Sequence, residues 1–124
     1  MAFHFEFRQV EPDVTVAVLT GMLNLGSRVA EFEQAIKQHI WDGSRKMVFD
    51  MTGLTYIDSA GLGMVATCAG NMSKAGGKVV VVSPGGKITQ MFEITRLNRL
   101  ISIFTDVVEA CESFPDATEE TKQA

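Results

Sequence analysis

Residues 47–63 read MVFDMTGLTYIDSAGLG, and their pattern changes from that of a strand to that of a helix. Three apolar residues, 47–49, predict a buried strand, and the polar run 50–55 predicts a turn. Ser59 then stands as the predicted N-cap of a helix, because a serine oxygen accepts one of the N–H groups that the first turn leaves unpaired. Those donors and the positive end of the helix dipole also suit an anion, including a phosphate carried by the serine itself.

The composition is that of an ordinary globular protein. Of the 124 residues, 46% are hydrophobic and 21% are charged, which suits one domain with its own core. The formal net charge is -4. Because a nucleic-acid-binding protein concentrates lysine and arginine against phosphate, we expect no nucleic-acid partner.

The sequence predicts neither export nor membrane insertion. The first residues, MAFHFEFR, lack the basic start and long apolar run of a secretory signal, and no segment is long and apolar enough to cross a bilayer. We therefore expect a cytoplasmic protein. Cys68 and Cys111 lie in helical apolar patterns without the spacing of redox or zinc sites, so both are predicted to be buried thiols. No cofactor is expected.

The chain opens on a predicted β-hairpin. Apolar residues alternate in 3–8 and again in 14–19, which is the period of a strand with one buried face. Pro12 and Asp13 between the two runs predict a turn, so the runs pair in antiparallel fashion and end near Gly21.

Helices and strands alternate after the hairpin. Residues 79–82 are a β-branched run that predicts a central strand covered on both faces, and 100–103 predict a short strand. The four predicted helices have, in order, an N-cap at Ser27 and an end at Gly43, an N-cap at Ser59 and an end at Gly76-Gly77, a start at Ser83-Pro84, and a cap at Thr105 and Asp106.

The predicted fold class is α/β, since strands joined through helices pair in parallel. We expect a mixed β-sheet with an N-terminal antiparallel hairpin and about four helices packed on it. Residues 1–113 are predicted to form this domain, and 114–124 a polar, disordered tail.

No enzyme constellation accompanies Ser59. A hydrolase elbow needs glycine two residues before the serine, where Ile57 stands, and the two histidines, His4 and His39, lie on the first strand and the first helix. The pairs Gly77-Lys78 and Gly86-Lys87 lack the remaining residues of a phosphate-binding loop. The sequence therefore predicts a protein that is not an enzyme.

Residues 47–63 resemble the signature of the STAS domain, in particular that of single-domain bacterial anti-sigma factor antagonists. The likeness extends over residues 4–113, because TGMLN at 20–24 and VVVVSP at 79–84 resemble further segments of that family. It implies a mixed sheet with helices on one side and a serine at a helix start.

The resemblance also implies a function, that of a regulatory switch. In such antagonists the unmodified protein binds an anti-sigma factor, often a serine kinase, and frees the sigma factor. The kinase then phosphorylates the serine, here Ser59, which ends binding until a serine phosphatase restores the hydroxyl. The residues expected to bind the partner are Asn24, Ser27, Arg28, Asp58, Ser59, Ala60, Gly61, Leu62 and Gly63.

All of these residues except Ala60 also have a purely structural interpretation. Ser59 and Asp58 are candidates for capping the helix, and Leu62 is a candidate for the core as much as for an exposed contact. Gly61 and Gly63 weaken the first turn, which favours a site where another backbone approaches closely. Asn24, with Ser27 and Arg28, is interpreted alternatively as a plain turn and cap.

Three positions depart from the family pattern. Asn24 stands where many members carry Asp, Ala60 where many carry a second Ser, and Arg96 where a Gly commonly ends the helix. An alternative function within the same family is a STAS subunit of a stressosome-like scaffold, or of a membrane transporter for lipids or anions.

Overall fold

The computed structural model describes residues 2–24, 26–83 and 85–115. Its elements are, in chain order, β1 (His4–Val10), β2 (Val14–Leu23), α1 (Ser27–Trp41), β3 (Lys46–Ile57), α2 (Ser59–Lys74), β4 (Lys78–Val82), α3 (Gly86–Ile94), a 3-10 turn (Leu97–Arg99), β5 (Ile103–Phe104) and α4 (Val107–Glu112).

The five strands form one mixed sheet in the order β1-β2-β3-β4-β5. β1 and β2 pair in antiparallel fashion, and the other neighbours pair in parallel. The predicted fold class, including the N-terminal hairpin and four helices, is confirmed. β3 lies at the centre of the sheet, so its carboxyl end places the residues that follow it at the middle of one sheet edge.

The turn predicted at 50–55 is wrong, because β3 continues through it. The register against β2 shifts between the pairs Val18 with Asp50 and Thr20 with Gly53, so β3 carries an extra residue there. Such a bulge tolerates a polar side chain in a strand. The Asp50 carboxylate accepts hydrogen bonds from the backbone N–H and the hydroxyl of Thr52, at 3.1 and 2.8 Å, within the bulge itself.

Side chains cover both faces of the sheet. On one face, α1, α2 and α3 enclose the larger core, in which Phe32 of α1 contacts the rings of Phe3, Phe5, Phe7 and Phe49. The other face carries the smaller core, whose members include Val16, Val48 and Val80 and the α4 residue Ala110. The expectation that all helices lie on one side is therefore wrong, because the alternating valines expose a second apolar face that α4 covers.

The predicted starts of α1 and α3 are displaced. α1 begins at Ser27 itself, with Gly26 as its N-cap, and α3 begins at Gly86, with Gly85 as its N-cap. The Ser83 hydroxyl lies 2.7 Å from the Thr89 hydroxyl within α3. It caps no helix, since α3 starts three residues later, and Pro84 lies outside the described residues.

The predicted helix ends and the last cap agree with the structure. Gly43 follows α1 with a φ of 104°, which only glycine adopts without strain. Asp106 caps α4 by accepting a 2.7 Å hydrogen bond from the N–H of Val108. The predicted tail begins at residue 114, but Phe114 packs partly buried against the smaller core. The part of that tail from Asp116 onward lies outside the described residues.

The segment between α3 and β5 differs from the prediction. The short strand is confined to Ile103–Phe104, and Leu100, predicted to belong to it, is 82% exposed. Arg96 stands before the 3-10 turn with a left-handed φ of 62°. Arg96 therefore carries a side chain in a backbone conformation that disfavours one.

The two cysteines differ in burial. Cys68 is buried in α2, and burial raises the pKa of its thiol to about 12. Cys111 is only partly buried, so the prediction of two buried thiols holds for Cys68 alone. Desolvation also raises the pKa of Cys111.

Candidate functional site

Asp58, and not Ser59, caps α2. Asp58 has an extended backbone conformation, and its carboxylate accepts a 2.8 Å hydrogen bond from the N–H of Gly61. Its carbonyl oxygen accepts from the N–H of Leu62 at 2.9 Å. The predicted N-cap at Ser59 is therefore wrong by one residue, because the carboxylate before it occupies the capping position.

Ser59 is the first residue of α2 and is exposed. Since the Asp58 carboxylate already accepts from the first turn, the Ser59 hydroxyl is not needed as a cap. It projects at the positive end of a sixteen-residue helix, where negative charge is favoured. This hydroxyl is therefore accessible to a reagent or a partner without any change in the fold.

The end of β2 fixes the position of this helix start. The N–H of Asp58 donates to the carbonyl oxygen of Leu23 at 3.2 Å. A Cβ added at Gly61 would lie 2.5 Å from that same oxygen and 2.9 Å from the Leu23 Cγ. Glycine is thus required at 61 by β2 and not by an approaching partner.

The neighbouring Leu62 and Gly63 have opposite surroundings. Leu62 is 2% exposed and belongs to the larger core, so the alternative of an exposed apolar contact at this residue is wrong. Helical geometry turns its side chain toward the sheet. Gly63 is exposed, and a Cβ added there would meet nothing within 4 Å. Because Gly63 is four residues beyond Ser59, the two lie on one face of α2 together with the exposed Ala60.

Asn24 and Arg28 line a second depression, and Ser59 is not among its described lining residues. With Gly26 and Val29 they border a cavity of about 300 Å³. Asn24 directly follows Leu23 and so adjoins the start of α2, whereas Arg28 is directed toward β1.

The Arg28 guanidinium lies 5.4 Å from the centre of the Phe5 ring and 3.5 Å from the Glu31 carboxylate. Its Nε is buried and makes no hydrogen bond with any described residue. The backbone of Ser27 begins α1 beside it.

A groove lies on the other side of Ser59, between the end of β3 and α3. It has a volume of about 550 Å³, and we call it the Ser59 groove. Its apolar wall consists of Tyr56, Ile57, Ile88, Met91 and Ile94. Tyr56 is 46% exposed and Ile94 76% exposed, so the groove presents apolar surface to solvent.

The polar rim of the Ser59 groove holds one cation among the described lining residues. Thr55, Asp58, Ser59, Lys87 and Gln90 complete that lining. Lys87 is the second residue of α3 and is exposed. Sequence reasoning missed this rim because Ser59 and Lys87 are far apart in the chain, and they border one groove only through the parallel pairing of β3 and β4. Two features of the sequence could have indicated this groove. The apolar Ile94 lies outside the apolar face predicted for α3, and a pair of glycines precedes Lys87.

Two features are absent from the described part of the chain. Residues 2–24, 26–83 and 85–115 contain no group of three or more histidine, cysteine, aspartate or glutamate side chains that could hold a metal ion. Within the same ranges, no helix has both the length and the apolar character that a bilayer-spanning segment needs.

Solved structures resemble the whole fold. An anti-sigma factor antagonist from Mycobacterium paratuberculosis superposes with a TM-score of 0.82 at 20% identity, covering 93% of this chain and 96% of that one. SpoIIAA, a cell fate determinant of Bacillus, superposes in its phosphorylated form with a TM-score of 0.66 at 17% identity, covering 97% and 98%. At these identities the likeness shows a common fold.

Sequence comparison gives the family. A Thermotoga neapolitana protein, named as a candidate anti-sigma factor antagonist, is 26% identical over 108 residues, which are 87% of this chain and 95% of that protein. The family model of the STAS domain matches residues 8–110. This range includes the end of β1, all of β2 to β5 and both helix starts at the Ser59 groove. The chain therefore belongs to the STAS domain family.

Proposed function

We propose that this protein is an anti-sigma factor antagonist that binds its anti-sigma factor in the unmodified state and is released by phosphorylation of Ser59. The observation that carries the proposal is the exposed Ser59 hydroxyl at the start of α2, next to a carboxylate that caps the helix in its place. The names of the Thermotoga and Mycobacterium proteins support the partner class. The existence of a phosphorylated form of SpoIIAA supports the modification.

The surface around Ser59 suits a close contact between backbones. Ser59, Ala60 and Gly63 are exposed on one face of α2 and carry small side chains or none. The space above Gly63 is open. A partner segment that reaches this face therefore meets the Ser59 hydroxyl directly.

Phosphorylation would change the charge of this face without opposing the fold. The Ser59 oxygen attacks the terminal phosphorus of a nucleoside triphosphate, the bond to the bridging oxygen breaks, the diphosphate leaves and the hydroxyl proton passes to a base of the kinase. The product carries about -1.5 to -2 charges. The positive end of α2 favours that charge, whereas a contact that excludes water from it is disfavoured by its desolvation.

Affinity capture from the native cells tests the partner class. We would compare the tagged chain with Ser59→Ala, which cannot be phosphorylated, and with Ser73→Ala, a matched serine change farther along α2. The bound proteins and the Ser59 peptide are identified by mass spectrometry. The proposal expects an anti-sigma factor with a kinase fold on Ser59→Ala, and phosphate on part of Ser59 in the parent.

Other outcomes would count against this function. Retention of transporter subunits or of a large scaffold by all three proteins, with Ser59 never modified, would favour the alternative STAS assemblies. Equal capture of the anti-sigma factor by the phosphorylated and unphosphorylated forms would leave the antagonist class standing and remove the switch.

A further inference from the structure

We propose that β1 is an interaction surface for a second copy of this chain. The β1 strands of the two copies pair in antiparallel fashion and join the two sheets, each of five strands, into one continuous sheet. The inference concerns the edge of the sheet and does not depend on the proposed phosphorylation of Ser59.

β1 is the long free edge of the sheet. Among the described strands it pairs with β2 alone, whereas the opposite edge strand, β5, has only two residues. An edge strand presents a row of backbone N–H and C=O groups with which a further strand can pair. β1 lacks several features that usually block such pairing. Its seven residues, HFEFRQV, include no proline, glycine or lysine, and its register against β2 runs without a bulge from His4 to Val10.

The charged residues of β1 lie together on one face of the sheet. Glu6 and Arg8 are exposed, and neither makes an ion pair with any described residue. They lie opposite Val18 and Val16 of β2. Both valines contribute to the smaller core, so Glu6 and Arg8 share the face of the sheet that carries that core.

One register of the two strands satisfies both the backbone and the charges. The full length of β1 is paired when His4 lies opposite Val10 of the second copy. The same register places Glu6 opposite Arg8 of the second copy, and the two-fold symmetry of the pair repeats that contact. A shift by two residues in one direction would place Glu6 opposite Glu6, and in the other direction Arg8 opposite Arg8. Like charges directly opposite each other are destabilising, so the charges select the register of full overlap.

The other face of the paired strands would bury aromatic surface. Phe5 and Phe7 are only partly buried against the larger core. In the selected register Phe7 lies opposite Phe7 of the second copy, and an aromatic pair across two strands stabilises their pairing. The Phe7 ring is already held in place, because its centre lies 6.2 Å from that of Phe32 and 4.3 Å from that of His39.

This pairing leaves Ser59 uncovered. Ser59 begins α2 after the carboxyl end of β3, and β2 separates β3 from β1. A dimer joined through β1 would therefore present two Ser59 faces to partners, one on each copy.

Sedimentation equilibrium from about 1 μM to about 1 mM protein tests the pairing. We expect the parent to change from one chain to two as the concentration rises. Glu6→Arg and Arg8→Glu should each weaken the association at least about tenfold, because each places like charges opposite each other in both symmetry-related pairs. The control Glu93→Arg makes the same charge change on the exposed surface of α3 and should associate like the parent.

A mixture of the two single variants tests the register itself. When a Glu6→Arg chain meets an Arg8→Glu chain, every opposite pair again has unlike charges, so we expect a mixed dimer although neither variant pairs well with itself. The double variant Glu6→Arg/Arg8→Glu should also regain association. Both recoveries require folded chains, which separates a loss of pairing from a loss of the fold.

Three results would overturn the inference. They are the mass of a single chain for the parent at every concentration, a dimer that Glu6→Arg and Arg8→Glu weaken no more than Glu93→Arg does, and failure of the two single variants to form a mixed dimer. None of these results bears on the proposed switch, because the sedimentation experiment involves neither a phosphate on Ser59 nor an anti-sigma factor.

Discussion

Replacing Gly63 by alanine should stabilise the fold and weaken partner binding at the same time. Gly63 lies in the first part of α2 on the exposed face that includes Ser59, and a Cβ added there would meet nothing within 4 Å. Alanine loses less backbone entropy in a helix than glycine, by about 0.5–1 kcal/mol. The same methyl group would stand between the helix backbone and any partner that approaches Ser59.

Gly61→Ala is the matched control, because it makes the same chemical change two residues away. There the new Cβ would lie 2.5 Å from the carbonyl oxygen of Leu23 and 3.1 Å from the Ile57 Cγ1. Backbone atoms at the end of β2 cannot move aside as a side-chain tip does. We expect this overpacking to cost about 1–3 kcal/mol, which exceeds the gain in helix propensity.

Thermal unfolding followed by circular dichroism measures both effects. In a domain of this size a change of about 1 kcal/mol shifts Tm by roughly 4 °C. We expect Tm to rise for Gly63→Ala and to fall for Gly61→Ala, while titration with the anti-sigma factor shows weaker binding by Gly63→Ala. A fall of Tm for Gly63→Ala, or unchanged binding by that variant, would refute the assignment of this face.

Three further changes test the local structure, each by thermal unfolding or thiol kinetics. Asp58→Ala removes the α2 cap and should lower the free energy of unfolding by about 1 kcal/mol, whereas Asp58→Asn keeps a capping oxygen and should lower it much less. Equal decreases in the two variants would contradict the assignment of Asp58 as the cap. Arg96→Gly relieves a left-handed conformation and should stabilise by about 1 kcal/mol, while the control Arg99→Gly, in a 3-10 turn with ordinary φ, should not. Burial raises the pKa of Cys68 to about 12, so at pH 8 its thiol stays protonated and reacts slowly with a thiol reagent. Cys111→Ser should therefore remove the faster phase of that reaction. Persistence of the faster phase would contradict the difference in reactivity between the two thiols.

The periodicity of the apolar residues predicted the architecture because most of the helices and strands have one buried face. The valines of 79–82 indicated a strand covered on both sides, and the structure divides them between the two cores. The position of α4 on the second face did not follow from its six residues. It depends on which face the other helices leave uncovered, which is a property of the assembled sheet.

Errors at the candidate site arose where two residues compete for one local role. Asp58 and Ser59 are both good N-caps, and only the extended backbone of Asp58 and its bond to Gly61 distinguish them. The polar run in β3 was predicted as a turn because a bulge and a turn contain similar residues. The bulge is recognisable only from the register against β2.

The Ser59 groove was not predictable from the motif that led to Ser59. Its far wall comes from α3, about thirty residues later, and its rim depends on where α3 begins. The sequence placed that start at Ser83, whereas Gly85 and Gly86, both with positive φ, delay it and bring Lys87 to the groove. Paired glycines permit several backbone paths, so their conformation is set by the packing of α3 on β3.

The most direct test of the proposed switch is the affinity of the purified anti-sigma factor for this protein with serine or phosphoserine at position 59. Calorimetric titration of both forms, with Ser73→Ala as a control that keeps Ser59 intact, gives the two dissociation constants. We expect phosphoserine at position 59 to weaken binding by at least about a hundredfold, which corresponds to roughly 2.8 kcal/mol, and Ser73→Ala to bind like the parent. Equal affinities of the serine and phosphoserine forms would contradict the account.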